Sequence, residues 1–460
     1  MTDRKDFFKQ FIFGESIVSN EPLSVKEGEK LLARGRELAR KGAVSSQDDI
    51  VTVFSRLSKA WSDPGYERRR QAADVLARVS DYGPEFIKAV LEEFAKILAP
   101  EYLLHKIEGA FGSGNIQGKL VAQRESSIRL IVQPAGQVLH VASGNVFIAC
   151  IESLVDGIIT RNINFLKMSS DDREFPVLFA ESIREFDKEK VICPALSVVW
   201  WPGGSEAVEN LFKTGMDRII FWGGQEALKS WQKDLGESTL LIRHGHKISF
   251  GVVSRSGLAS SDIGHLTDSI ALDIAIWEQK ACNCPQMIFV EESVPAGDMQ
   301  RFLDSLAGSL KKLNDAFPPG RRSSDEYVEV LKYRELAMAK HFVTGQPVSV
   351  IGPETLDWTI ISEEKSGEGF EPSPLNRTIL IKRYSSLHAL ADLFREHSSY
   401  LQTVGYRLSE TELSEYAVTL SSVGVTRLCP FGIMAIPTAG TPHDGGYILR
   451  DLVRFSVVEH

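Results

Sequence analysis

Between Pro134 and Leu241 short apolar runs alternate with helical stretches, and that alternation restricts the fold more than any other feature of the chain. Val138-Leu139-His140-Val141 precedes a helix predicted from about Phe147 to Asp156, and Asn164 to Met168 precedes one running through Phe175 to Phe186. Ser197 to Trp201 leads through Pro202-Gly203-Gly204 into a third helix, and Arg218 to Trp222 leads through Gly223-Gly224 into a fourth. Each run is short, apolar on both faces and closed by small residues that open a helix. This is the signature of βαβ units in a parallel sheet. Such sheets bind ligands beyond the carboxyl ends of their strands. A second alternating unit begins at Ile248-Ser249-Phe250-Gly251-Val252-Val253.

At 460 residues the chain exceeds what one core serves, so two large units are expected. It has no apolar run of the roughly 18 residues that a membrane helix needs, and Met1 to Gln10 lacks the apolar core of a secretory signal. A net charge of -9 argues against nucleic-acid binding, which requires clustered cations; the run Glu67-Arg68-Arg69-Arg70 reads as a solvated helix face. The five cysteines are few, odd in number and widely spaced, which predicts reduced thiols and a cytoplasmic protein. Cys282-Asn283-Cys284 has no second pair at zinc spacing, and His443-Asp444-Gly445 reads as a tight turn, so no metal site is expected.

Outside the alternating region, Ser24 to about Gly112 is predicted helical, with Phe86, Ile87, Val90, Leu91, Phe94, Ile97 and Leu98 forming one apolar stripe. Phe111 to Gly118 resembles a glycine fingerprint but neither follows a clear strand nor opens a helix, and it reads as a loop. Lys119 to Val132 predicts a hairpin, Tyr447 to Val458 one or two strands, and Glu363 to Ser373 a loop or excursion.

The stretch Ile274 to Glu292 carries the reactive candidates. Cys282 and Cys284 precede Pro285 and the buried-strand run Met287 to Val290, so either thiol is held at a strand edge. A cysteine there is rigid and still reachable; the bland alternative is a packing residue.

Taken in order, Pro134 to Val138, Ser143-Gly144-Asn145-Val146-Phe147, Lys167, Phe221 to Glu226, and Cys282 resemble the aldehyde dehydrogenase superfamily in spacing. Trp277 to Gln286 and Thr441-Pro442-His443-Asp444-Gly445-Gly446 are similar to one branch of it, the LuxC-type fatty acid (acyl-CoA) reductases. The resemblance covers about residues 110 to 460 and implies an α/β, aldehyde-dehydrogenase-like fold with two parallel-sheet domains and a β arm. The implied boundaries are 1–118 with 134–247 for a helical N-terminus and NADP-binding domain, 248–426 for a catalytic domain, and 119–133 with 427–460 for a bridging, oligomerising arm.

The resemblance makes Cys282 the acyl-carrying nucleophile by register, and makes Asn145 an amide donor to the developing oxyanion, although Ser-Gly-Asn is also good turn chemistry. Lys167 and Ser169 stand where dinucleotide folds usually place an acid on the ribose. They supply donors that suit a 2′-phosphate and hence NADPH, with Asp171 and Asp172 opposing. Gly223 and Gly224 match the turn near the pyrophosphate, while Leu228 departs from the family's later glycine. Arg243 or His244 stands near the place where the hydrolytic branch carries its glutamate base, which favours reduction of a thioester over hydrolysis.

The implied function is NADPH-dependent reduction of long-chain fatty acyl thioesters to the aldehyde, with fatty acyl-CoA, an acyl carrier or an acyl-protein synthetase as donor. The alternatives are a CoA-acylating aldehyde dehydrogenase for shorter chains and a non-catalytic subunit of an acyl-handling complex. A homo-oligomer is expected.

Overall fold

The computed structural model describes residues 7–41, 46–112, 118–122, 128–259, 262–364 and 371–459. Positions 113–117 of the predicted glycine-rich loop, 123–127 within the predicted hairpin and 365–370 of the predicted excursion lie outside the described residues. The chain divides into two compact units, one from Met1–Ser80, Ile87–Gly245 and Thr438–His460, the other from Asp81–Phe86 and His246–Pro437.

The first unit opens with a hairpin of β1 (Phe8–Ile12) and β2 (Glu15–Ser19), a region in which the sequence suggested no strand. Phe8 and Phe11 are buried, and β1 pairs antiparallel with the strand Leu196–Val199, so a short apolar segment without helical period is recruited to a sheet edge. Strands β3 (Leu120–Ala122) and β4 (Arg129–Pro134) pair antiparallel as the predicted hairpin. Next come β5 (Gln137–Val141), β6 (Ile163–Lys167), β7 (Leu196–Val199), β8 (Arg218–Trp222) and β9 (Leu240–His244), mutually parallel in the order β2-β1-β7-β6-β5-β8-β9.

Every residue of β5, β6 and β7 is buried, because helices cover both faces of a parallel sheet. The crossover helices are Ala149–Ile159, Phe175–Phe186, Glu206–Gly215 and Gln225–Trp231. Leu139, Phe165, Val199, Trp201, Phe212 and Ile219 share one core cluster, with Trp201 stacked on Phe212 at 4.7 Å. The helix Gln47–Ser62 is held at its start by a capping box between Ser46 and Asp49, and the helix Pro84–Ile97 buries the predicted stripe Ile87, Val90, Leu91 and Phe94.

The second unit contains β10 (Ile248–Val253), β11 (Pro285–Glu291), β12 (Val348–Ile351), β13 (Thr359–Glu363), β14 (Thr378–Tyr384), β15 (Leu401–Arg407) and β16 (Arg427–Pro430). Their order is β12-β13-β14-β11-β10-β15-β16, parallel except for β12. Residues 427–430, assigned to the arm from sequence, instead form β16 at the edge of this sheet. Leu428 packs into the core on one face and Cys429 into the core on the other, as alternating strand residues do. The tail Ile448–Asp451 is a short helix, followed by β17 (Val453–Val458), which pairs antiparallel with β4 in a three-stranded sheet of order β17-β4-β3. Among the described residues no helix is long and apolar enough to cross a membrane.

Candidate active site

Cys282 lies in the turn between the helix Ile263–Ala275 and β11. Asp262 caps that helix by accepting from the Gly264 and His265 N–H groups at 3.0 and 3.3 Å. Beyond it Trp277, Glu278 and Gln279 take left-handed backbone angles, with φ of 54°, 51° and 61°. Each non-glycine residue held that way costs about 1–2 kcal/mol, so the turn is strained and must be held by its surroundings.

The two thiols meet different environments. Cys284 is buried, its thiol donates to the Ile276 carbonyl at 3.3 Å, and burial pushes its pKa well above the usual thiol value. Cys282 is only partly buried. Its carbonyl accepts from the Ser249 hydroxyl at 2.7 Å, and that hydroxyl also accepts from the Thr403 N–H at 3.1 Å. Ser249 sits at a register shift in β10, so a bulge aims its side chain at the turn.

Behind the turn, Asp273 accepts from the Gly432 and Met434 N–H groups at 2.6 and 3.0 Å, and burial pushes its carboxyl up to about 7 against those donors. Arg427 donates to the carbonyls of Met434, Ile433 and Ile436, so it staples the same loop.

In the first unit Asn145 is exposed in the loop after β5. The following helix is capped by Ile148, so the amide of Asn145 is not its cap. A Cβ at Gly144 would lie 2.4 Å from an Asp171 carboxylate oxygen and 3.0 Å from the Ser169 hydroxyl; the loop of Asn145 and the turn after β6 therefore touch, and only glycine fits between them. Ser169 accepts from the Asp171 N–H at 3.2 Å. Lys167 ends β6, is 7% exposed and holds its ammonium 5.5 Å from the Trp201 ring. Burial lowers its pKa, with Glu209 acting in the opposite direction.

Gly224 is the N-cap of the helix Gln225–Trp231, and a side chain there would meet open space. A Cβ at Gly223 would press on the Phe221 ring at 3.0 Å. Of the two residues expected near the missing carboxylate base, Arg243 is exposed on β9 and His244, at its end, is buried.

Sequence reasoning missed one cluster. His244 Nδ1 lies 3.0 Å from Asp444 Oδ2, and His443 Nδ1 lies 3.3 Å from the same oxygen. Trp222 stacks on His244 at 4.0 Å. Burial alone would raise the Asp444 carboxyl, but the hydrogen bond with His244 and the adjacent His443 imidazole overcome it and hold the group far below the carboxylate range. The potential ligand atoms lie within 4.8 Å of one another, a spacing open to a metal ion and equally met by a carboxylate hydrogen-bonded to one imidazole with a second close by. The partners are 200 positions apart, so no spacing rule finds them; the sole sequence signal was the His-Asp-Gly that the resembled branch shares.

Residues 43–455 match the model of the family described as Acyl-CoA reductase (LuxC). The chain belongs to the LuxC family. It is accordingly an oxidoreductase acting on acyl thioesters. It is 26% identical over 412 residues to a long-chain acyl-protein thioester reductase of Vibrio harveyi, covering 89% of this chain and 82% of the relative.

Among solved structures it is similar to an oxidoreductase from Marinobacter aquaeolei, with TM-score 0.73, 13% identity and coverage of 99% and 96% of the two chains. A variant of aldehyde dehydrogenase C from Pseudomonas syringae, in complex with NAD+ and octanal, also superposes with TM-score 0.73 at 11% identity, covering 100% and 98%. The LuxC-family chain therefore has the aldehyde-dehydrogenase-like fold, with two mainly parallel sheets and an additional antiparallel one. That fold and the family imply a nicotinamide cofactor.

Proposed function

We propose that this enzyme reduces long-chain fatty acyl thioesters to aldehydes through an acyl group carried on Cys282, with NADPH as reductant. The observation that carries the reading is the contrast between the thiols at the head of β11: Cys282 is accessible, and Cys284 is sealed and hard to ionise. The relative in Vibrio harveyi, named a long-chain acyl-protein thioester reductase, supports the substrate class.

In the proposed reaction the Cys282 thiolate attacks the thioester carbonyl carbon. The carbon–sulfur bond to the donor breaks, the donor thiolate leaves and takes up a proton, and the acyl group remains on Cys282. Lys167, Ser169, Gly223 and Gly224 would hold the dinucleotide, whose reduced nicotinamide would supply the hydride. Asn145 and the Cys282 N–H carry the resulting oxyanion, a role worth about 3 kcal/mol per donor. The bond from carbon to the Cys282 sulfur then breaks, releasing the aldehyde and restoring the thiolate. Neither Arg243 nor His244, the two residues near that place, is the carboxylate base of the hydrolytic branch, which supports reduction as the fate of the acyl-enzyme.

The residues fit the cofactor. Lys167 sits at a strand end with its charge penalised by burial, so an anionic phosphate there would be favoured, and Gly224 leaves room at a helix start. Fatty acyl-CoA, an acyl carrier or an acyl-protein synthetase is the proposed donor. The antiparallel sheet is the proposed oligomer arm, supported by exposed Phe455 and Val457 on β17. A cytoplasmic setting is proposed from the small, odd number and wide spacing of the cysteines.

Intact mass after incubation with a long-chain acyl-CoA tests the reading. An acyl increment on the wild type, absent from Cys282→Ala together with NADPH-dependent aldehyde formation, is expected. An unmodified wild type, or an active Cys282→Ala, overturns it.

A further inference from the structure

The segment just before Cys282 is not the only strained one in its unit. Leu375, Asn376 and Arg377 also run left-handed, with φ of 62°, 54° and 59°, and Asn376 and Arg377 bond directly to Glu278 of the first triplet. Two such triplets without glycine persist only where contacts over-determine them. The contacts are buried and specific. Arg377 donates from Nε and Nη2 to the two carboxylate oxygens of Glu278 at 3.0 and 2.7 Å, and the Asn376 N–H donates to the Glu278 carbonyl at 3.1 Å.

The remaining Arg377 donor, Nη1, reaches the Phe317 carbonyl at 2.9 Å and Asn314 Oδ1 at 3.2 Å, and Arg322 stands 3.7 Å from Glu278. Gln279 completes the array. Its amide nitrogen donates to the carbonyls of Pro285 at 2.7 Å and Thr378 at 3.1 Å, and its oxygen accepts from the Thr378 N–H at 2.8 Å. Pro285 directly follows the cysteine turn, so the Gln279 side chain closes the base of the loop that bears Cys282.

We infer that Glu278, Gln279 and Arg377 form a positioning clamp that sets the backbone of the Cys282 turn; this rests on Cys282 being the acyl carrier. Glu278 and Gln279 are 5% and 2% exposed, and Arg377 is 2% exposed. A fully buried ion pair is a poor source of stability, since desolvation offsets the attraction, whereas a bidentate fork fixes orientation sharply. The clamp touches no reacting atom. It acts through the chain that carries the sulfur, from a residue 99 positions away.

Arg377→Lys keeps the charge and removes the fork; Glu278→Gln keeps the shape and removes the charge. Expected for Arg377→Lys is a folded protein with wild-type nicotinamide binding by fluorescence and an acyl-CoA KM within about twofold of wild type. The rate of acyl transfer to Cys282 should fall about 100-fold, the scale of an ångström-level misplacement. The double variant should be no slower than the slower single one, as for one coupled unit. Acyl-transfer rates in Arg377→Lys within twofold of wild type, or losses that multiply in the double variant, overturn the inference. Alkylation of Cys282 by iodoacetamide, followed by peptide mass, separates the two readings. If the wild type takes up no acyl group, the acyl-carrier role fails; a changed alkylation rate at Cys282 in Arg377→Lys would still uphold the clamp, and an unchanged one would sink it.

Discussion

His140 should make the first unit acid-sensitive by an amount that the structure sets. It lies in β5, fully buried, with Nδ1 2.8 Å from the Ser153 hydroxyl and Nε2 3.1 Å from Asn164 Oδ1. Burial lowers its pKa from 6.5 to about 4, against the opposing Asn164 contact. The folded state thus resists a proton that the unfolded chain accepts. The stability contributed by neutral His140 is complete above pH 6.5 and is lost as pH falls toward 4. The gap corresponds to about 3 kcal/mol at the acid limit and about 2 kcal/mol at pH 5.

The assay is urea unfolding of wild type and His140→Gln at pH 7 and pH 5. Tryptophan emission reports mainly on the first unit, which holds Trp61, Trp200, Trp201, Trp222 and Trp231, with Trp277 and Trp358 in the second. Carboxylates titrate in both proteins, so the comparison isolates the histidine. The wild type should lose about 2 kcal/mol more than the variant between the two pH values. Equal losses would refute the argument, because they would mean that His140 takes up its proton in the fold as readily as out of it.

Three further outcomes are expected. Gly157→Ala places a Cβ 2.0 Å from Asn164 Oδ1 and 2.7 Å from His140 Nε2, and should lower stability in the same urea assay by about 1–3 kcal/mol. Trp61→Ala removes a fully buried ring packed edge-on against Phe94 and Phe175 and donating to the Ser182 hydroxyl at 3.1 Å; calorimetry should show a loss of about 3–5 kcal/mol. Lys167→Ala should weaken NADPH relative to NADH by roughly tenfold or more in steady-state kinetics, and an unchanged ratio would remove Lys167 from the 2′-phosphate site.

The alternation from Pro134 to Leu241 was legible because each strand and helix is written in its own neighbours: period, bounding glycines and run length all lie within a few residues. The buried strand that follows Cys282 and Cys284 was legible for the same reason. Other features had no local mark. The hairpin β1–β2 becomes a strand pair only because β7 offers an edge, and β16 belongs to the second sheet because Leu428 and Cys429 find a core on each side. The sequence by itself determined the α/β class, the order of its units and the presence of two candidate thiols at the head of a buried strand. Tertiary structure alone decided that Asp444 meets His244, that Arg377 grips Glu278, and that Cys284 is sealed while Cys282 is accessible. Local periodicity is carried by adjacent residues, whereas charge pairing and burial depend on segments that only the folded chain brings together.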